Sequence, residues 1–303
     1  MKKIFTLVLV GMLLLVGCSM QPAGQEKTSD KKSAKTIGLS ISTMNNPFFV
    51  TLKNATEKKA KELGYTLITV DAQNNSAKQA SDVEDLIQKN VDFLLINPVD
   101  SDAVVSAVQS ANNANIPVIT LDRSANGGKV VSHIASDNVS GGEMAGKHLL
   151  QLVGNGANIV ELEGVPGSSA ARERGQGFHK VIDGKLKVVS KQSADFDRSK
   201  GLSVMENIIQ GNKNIQGVFA QNDEMALGAL EALKSAGLTN VKVIGFDGTD
   251  EAKAAVNKGE LSATIAQKPD VMGETAIETV KKVLAGEKVD ANIPVPLELV
   301  VKK

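Results

Sequence analysis

Short apolar runs alternate along the chain with stretches of helical period. Thr36 to Ile41 is β-rich, and Phe49 to Leu63 then follows a helical period that stops at Gly64. Glycine there suits the left-handed turn with which many helices end. Thr66 to Asp71 predicts a second strand and Ala77 to Lys89 a second helix. Asp92 to Ile96, Ala103 to Ala114 and Pro117 to Leu121 continue the order strand, helix, strand. The series restarts at Asn158. Ile159 to Leu162, Lys187 to Ser190, Gly217 to Ala220 and Val241 to Phe246 read as strands, with helices near 170–181, 199–209 and 224–236. Strands that are apolar throughout, with helices between them, predict parallel sheets covered on both faces.

The two halves match in detail. Phe93-Leu94-Leu95-Ile96 ends in Asn97, and Pro117 to Leu121 ends in Asp122. In the second half Val218-Phe219-Ala220-Gln221 ends in Asn222, and Val243 to Phe246 ends in Asp247. The interval from Asn to Asp is 25 residues in both halves. Turn initiation or helix capping explains each of these residues singly, but not the equal spacing. The fold class expected is therefore α/β, built from two Rossmann-like lobes. In open parallel sheets ligands bind outside the carboxyl ends of the strands. If the lobes face each other, Asn97, Asp122, Asn222 and Asp247 converge on one cleft.

The N-terminus sets the compartment. Lys2 and Lys3 precede the uncharged apolar run Ile4 to Val16. That run falls short of the roughly 20 residues of a membrane span but fits a secretory signal. Leu15-Val16-Gly17-Cys18 follows and resembles the lipobox of bacterial lipoproteins. Cys18 is the one cysteine in the chain, so it has no disulfide partner within it. Lipidation explains a cysteine placed at the signal junction better than redox chemistry does. Residues 1–17 are thus expected to be a signal peptide and 18–35 a lipidated cysteine with a polar, flexible tether. The expected location is the extracytoplasmic face of the cell membrane, with no transmembrane helix in the mature protein. The remaining residues suffice for two domains of ordinary size. Thirty-four basic residues balance 34 acidic ones and lie scattered, which argues against nucleic acid.

Aromatic residues are scarce enough to be informative: no Trp, one Tyr and eight Phe, of which Phe5 falls in the signal. Phe48 and Phe49 follow the first strand, and Phe196 lies between Asp195 and Asp197, so three of them occupy loops at strand ends. Phe48 and Phe49 could equally begin a helix by packing inward. Asp122-Arg123 sets an acceptor beside a planar five-donor group. Arg172-Glu173-Arg174 opens the second lobe's first helix, where Arg172 reads as a solvated residue. Gln267 ends the apolar stretch from Leu261 to Ala266. A sugar has hydroxyls around its rim and apolar C–H faces. Planar Asp, Asn, Gln and Arg suit the first, and aromatic rings suit the second.

Several stretches jointly resemble the bacterial D-ribose-binding proteins of ABC transporters. They include Asn45-Asn46-Pro47-Phe48-Phe49, Thr120-Leu121-Asp122-Arg123, Ser132 to Asn138, Ala170 to Gly175, Ala194 to Arg198, Phe219 to Glu224 and Gly245 to Gly248. The likeness runs from about Lys35 to the C-terminus. It implies the type I periplasmic-binding fold, with a three-segment hinge near Ser136-Asp137, Gln267-Lys268 and Ile293 to Pro296. The lobes would then be 36–136 with 268–296, and 137–267 with 297–303. It further implies a pyranose sandwiched by Phe48, Phe49 and Phe196. Its hydroxyls would be held by Asn46, Asn97, Asp122, Arg123, Arg174, Asn222, Asp247 and Gln267. The implied partners are D-ribose, a membrane permease and, as a further docking partner, a chemoreceptor. The chain is expected to be a monomer without cofactor or metal. Another small sugar or a signalling furanose is the alternative ligand.

Other classes fare worse. Gly141 to Lys147 fits the start of a phosphate loop, but His148 stands where a Mg²⁺-binding Ser or Thr belongs. It reads as the exposed start of a helix. His133, His148 and His179 read as isolated, and no nucleophile–base pair appears. Catalysis is not expected. A sugar-responsive repressor would need a DNA-reading helix-turn-helix where the signal and tether stand.

Overall fold

The computed structural model describes residues 34–302. The signal region, Cys18 and all but the last two residues of the tether lie outside the described residues, as does Lys303. The first series comprises β1 (Thr36–Ile41), α1 (Pro47–Glu62), β2 (Thr66–Asp71), α2 (Ser76–Gln88), β3 (Phe93–Ile96), α3 (Val105–Asn113), β4 (Val118–Leu121) and β5 (Ser132–Ser136). The second begins with α4 (Asn138–Val153), β6 (Asn158–Glu163), α5 (Ser169–Ile182), β7 (Lys187–Ser193) and α6 (Arg198–Gly211). It continues with β8 (Gly217–Ala220), α7 (Asp223–Ser235), β9 (Lys242–Asp247), α8 (Asp250–Lys258) and β10 (Ala263–Ala266). Helix α9 (Pro269–Leu284) and strands β11 (Asn292–Val295) and β12 (Glu298–Val301) end the chain.

These strands form two six-stranded sheets, in the orders β11-β5-β4-β3-β1-β2 and β12-β10-β9-β8-β6-β7. Adding five to each number in the run β5-β4-β3-β1-β2 gives β10-β9-β8-β6-β7, so the repeat in sequence is a repeat of topology. Neighbouring strands pair in parallel except β10 with β12, which are antiparallel. The chain crosses from the first sheet to the second between Ser136 and Asn138, and returns between Ala266 and Pro269. It crosses again between Val295 and Glu298. The type I periplasmic-binding architecture expected from the sequence is the one observed.

Both faces of each sheet are covered, as the apolar strands require. On the first sheet Phe48, Phe49 and Leu52 of α1 pack with Met272, Ile277 and Val280 of α9, while Val83, Leu86 and Val108 of α2 and α3 cover the other face. On the second, α6, α7 and α8 supply Met205, Ala229 and Val256, and α4 and α5 supply Leu149 and Phe178. Burying a side chain of this size contributes about 1.5–3 kcal/mol.

Helix α4 corrects one expectation. It begins at Asn138, directly after the buried strand β5, so Gly141, Gly142 and Gly146 are buried within it rather than exposed at its start. A Cβ on Gly142 would overlap the carbonyl of Arg174, and one on Gly177 the carbonyl of Val139. These glycines let α4 and α5 touch backbone to backbone. Strand β5 and helices α4, α8 and α9 lie outside the strands and helices expected from the sequence, although α8 and α9 each carry an apolar stripe, Ala252, Ala255 and Val256 in the first and Met272, Ala276 and Val280 in the second.

Candidate functional site

Residues at or beyond the ends of seven strands of the two sheets meet around a small cavity. Asn46, Phe48 and Phe49 come from the start of α1, Asp122 and Arg123 from the end of β4. Across from them stand Ala170 and Arg174 of α5, Phe196 after β7, Asn222 after β8, Asp247 at the end of β9 and Gln267 after β10.

Local structure explains their placement. Asn46 caps α1, its Oδ1 accepting from the Phe48 N–H at 2.9 Å, and Pro47 occupies the first turn where no N–H is needed. This turns Phe48 and Phe49 inward, their rings edge-on with centroids 5.1 Å apart. Asn222 caps α7 in the same way, accepting from Met225 N–H at 2.9 Å, and donates from Nδ2 to the Phe196 carbonyl. Capping and cavity lining therefore coincide in both residues. Asp122, Asp195, Phe196 and Asp247 all have positive φ, at 62°, 51°, 59° and 124°. Such conformations cost about 1–3 kcal/mol each and persist where the surroundings impose them, often at functional sites.

The charges are balanced and buried. Asp122, Arg123, Arg174 and Asp247 are each 5 % exposed or less. Arg123 Nε lies 3.6 Å from Asp122, and Arg174 Nη1 lies 3.7 Å from Asp247. Burial lowers the Arg123 guanidinium to about 10, against the pull of Asp122, so it stays cationic at neutral pH. Burial pushes the Asp247 carboxyl above its ordinary range, the neighbouring Arg174 opposing it and Asp223 adding to it. Arg123 sits 5.2 Å from the ring centroids of both Phe49 and Phe196. Among the described residues, neither Arg123 Nε nor Gln267 Oε1 has a hydrogen-bond partner. Buried polar atoms are normally satisfied. Rings on the walls, two carboxylates, two guanidinium groups and two unpartnered polar atoms suit a small polyhydroxylated molecule.

The lobes are closed on this cavity. Ser101 N–H donates to the Gly167 carbonyl at 2.9 Å, Ser169 N–H to Ser101 Oγ at 3.2 Å, and Ser124 N–H to Ser169 Oγ at 2.9 Å. A wider cleft of about 580 Å³ also touches Phe48, Asp247 and Gln267.

Comparison with known proteins decides the family. The model of the periplasmic binding protein domain matches residues 37–288. The chain belongs to that family. The ribose import binding protein of Bacillus subtilis is 56% identical over 306 residues, covering all of both chains. Its Escherichia coli counterpart is 53% identical over 304 residues, covering 100% of this chain and 99% of the relative. Among solved structures, a periplasmic solute-binding protein of an ABC transporter from Actinobacillus succinogenes, with bound D-allose, superposes with a TM-score of 0.83 at 32% identity. The match covers 88% of this chain and 98% of that one.

Within this periplasmic binding protein, ten of the eleven candidate residues line the cavity, and Asn97 does not. Asn97 stands behind Asp122, its Nδ2 donating to the Leu121 carbonyl at 3.0 Å and to Asp122 Oδ2 at 3.4 Å. Its Oδ1 accepts from Ser42 N–H, which leaves the side chain occupied with holding the end of β4. Arg172 is exposed and donates to the Gly167 carbonyl. His179 is not isolated: its ring nitrogens lie 2.8 Å from Glu161 and 2.8 Å from Asp183. Sequence reasoning missed Ala170, whose small side chain carries no chemical signal. It also missed Asn138, Glu161 and Gln221, which touch Arg174 or its supports. Family membership makes this an extracytoplasmic binding protein rather than an enzyme. Among the described residues no helix is long and apolar enough to cross a membrane.

Proposed function

We propose that this chain binds D-ribose between its two lobes and hands it to the permease of an ABC importer. The observation that carries this reading is the buried cavity, with aromatic walls and two unpartnered polar atoms, in a chain 56% identical to a ribose import binding protein. Phe48, Phe49 and Phe196 cover the faces of the sugar. Asn46, Asp122, Arg123, Arg174, Asn222, Asp247 and Gln267 hold its hydroxyls, and Asn97 acts through Asp122. A hydroxyl missing or misplaced leaves one of these groups unpaired, at about 1–3 kcal/mol each. Residues 36–136 with 268–296 form one lobe and 137–267 with 297–303 the other. They open and close as rigid bodies about the three crossings. Titration calorimetry against pentoses and hexoses tests the assignment. One D-ribose per chain, bound more tightly than any other sugar, is the expected result, and a hexose that binds more tightly overturns it. A different small sugar is the second reading, favoured by the D-allose held in the solved relative at 32% identity.

The Gly17-Cys18 junction supports a lipid anchor on the extracytoplasmic face of the cell membrane. Labelling of expressing cells with palmitate is expected to mark the protein, and Cys18→Ala to abolish the label. Label persisting in the variant contradicts the anchor.

A further inference from the structure

Arg174 is held from behind by residues that do not line the cavity. Its Nη1 donates to the main-chain carbonyl of Gln221 at 2.6 Å and its Nε to Asn138 Oδ1 at 2.9 Å. The Gln221 side chain is itself pinned at both ends. Its Oε1 accepts from the Gly164 N–H at 2.9 Å, and its Nε2 donates to Glu161 Oε1 at 3.1 Å. Gly164 underlies Phe196: a Cβ there would overlap the ring. One amide thus ties together the supports of the second lobe's cation and of its aromatic wall.

Glu161 lies in β6 with no exposed surface. A buried carboxylate needs partners for its charge. Gln221 supplies one, and His179 supplies the other at Oε2. The Glu161 hydrogen bond, reinforced by Asp183 and opposed by burial, raises the His179 ring to about 9, so both nitrogens donate at neutral pH. The sugar-binding reading assigns no task to Glu161, His179 or Gln221.

We propose that the chain His179–Glu161–Gln221 positions Arg174 and Phe196 against the sugar, setting affinity and selectivity from residues that do not touch it. The geometry gives each link one task. His179 fixes the orientation of Glu161, Glu161 fixes the Gln221 amide, and Gln221 fixes both the acceptor of Arg174 and the backbone beneath Phe196. Because a hydrogen bond weakens steeply with misalignment, a small shift of Gln221 acts on the guanidinium directly.

The inference rests on the function proposed above, and its test separates the two. Calorimetry on the full chain uses the two panel sugars that the wild type binds most tightly. Gln221→Met keeps the length of the side chain and removes both of its hydrogen bonds. It is expected to raise Kd for the preferred sugar about tenfold or more, the loss of roughly one hydrogen bond to a charged group. The preference over the second sugar is expected to shrink as well, because Arg174 no longer meets one particular hydroxyl. An unchanged Kd, or an equal loss for both sugars accompanying a lower melting temperature, overturns the positioning role and leaves sugar binding standing. Failure of the wild type to bind any sugar of the panel overturns the functional reading and this inference with it. Should Gln221→Met not fold, His179→Gln at the half-buried end of the chain is judged by the same two readouts, with an expected loss of about threefold or more.

Discussion

Asp247→Ala is expected to weaken binding of the preferred sugar by at least about 100-fold in titration calorimetry. Asp247 accepts from Gln267 Nε2 at 2.9 Å and stands 3.7 Å from Arg174, all three being buried. Truncation leaves the Gln267 amide without its acceptor and removes the counter-charge of a buried guanidinium. Each such loss costs about 1–3 kcal/mol, and breaking a buried pair by deleting one partner reaches about 3–5 kcal/mol. When the lobes part, water can satisfy these groups, so the penalty falls on the closed, liganded form and appears as lost affinity. About 2.8 kcal/mol corresponds to the 100-fold figure. Asp247→Asn separates charge from shape. The amide still accepts from Gln267 but carries no charge for Arg174, so a smaller loss than for alanine is expected. Alanine affinity within twofold of the wild type would remove Asp247 from the site.

The largest effect on folding is expected at Gly177. A methyl group there would overlap the carbonyl of Val139, and backbone cannot step aside as a side chain can. Gly177→Ala must therefore push α5 away from α4 or bend one of them. Overpacking of this kind costs about 1–3 kcal/mol where side chains can adjust, and the main-chain contact places this site at or above the upper end. The same movement separates Arg174 on α5 from Asn138 on α4, a pair now 2.9 Å apart. Chemical denaturation without sugar is expected to show a lower midpoint by roughly 3 kcal/mol of stability, with weaker sugar binding by what remains folded. A midpoint equal to that of the wild type would show that the helices can part without cost.

Much of this architecture is legible in the chain because its central strands are buried on both faces and hence mostly apolar. Thr36–Ile41, Thr66–Asp71 and Gly217–Ala220 have the same bounds by pattern and by structure. Ser132–Ser136 mixes Ser and His with two apolar residues and carries no such mark, although it pairs in parallel with β4 and β11. Helix α4 is obscured by Gly141, Gly142 and Gly146, poor in helix propensity, of which Gly142 and Gly146 lie against α5 and Gly141 against Phe246 and Leu297. Strands β11 and β12 depend on pairing partners far away in sequence, which no local pattern records.

The site divides along the same line. Asp122, Asn222 and Asp247 were found from the repeat, since strand ends are fixed by the strands themselves. Arg174 could have been told from Arg172 by helical period alone, because it shares a face with Ala170 and Ala171 while Arg172 points outward. Asn97 ends a strand yet does not line the cavity: strand-end position does not reveal that its amide bonds to Ser42, Leu121 and Asp122. The assembly of Glu161, His179 and Gln221 from β6, α5 and the end of β8 is a product of tertiary packing and left no trace in spacing.

A crystal structure of the protein with D-ribose is the decisive measurement. One sugar ring is expected in the cavity between the lobes, flanked by Phe48, Phe49 and Phe196, with hydroxyl oxygens within hydrogen-bond distance of Arg123 Nε and Gln267 Oε1. A ribose found elsewhere, or in the cavity with those two atoms still unpaired, would contradict the proposed site.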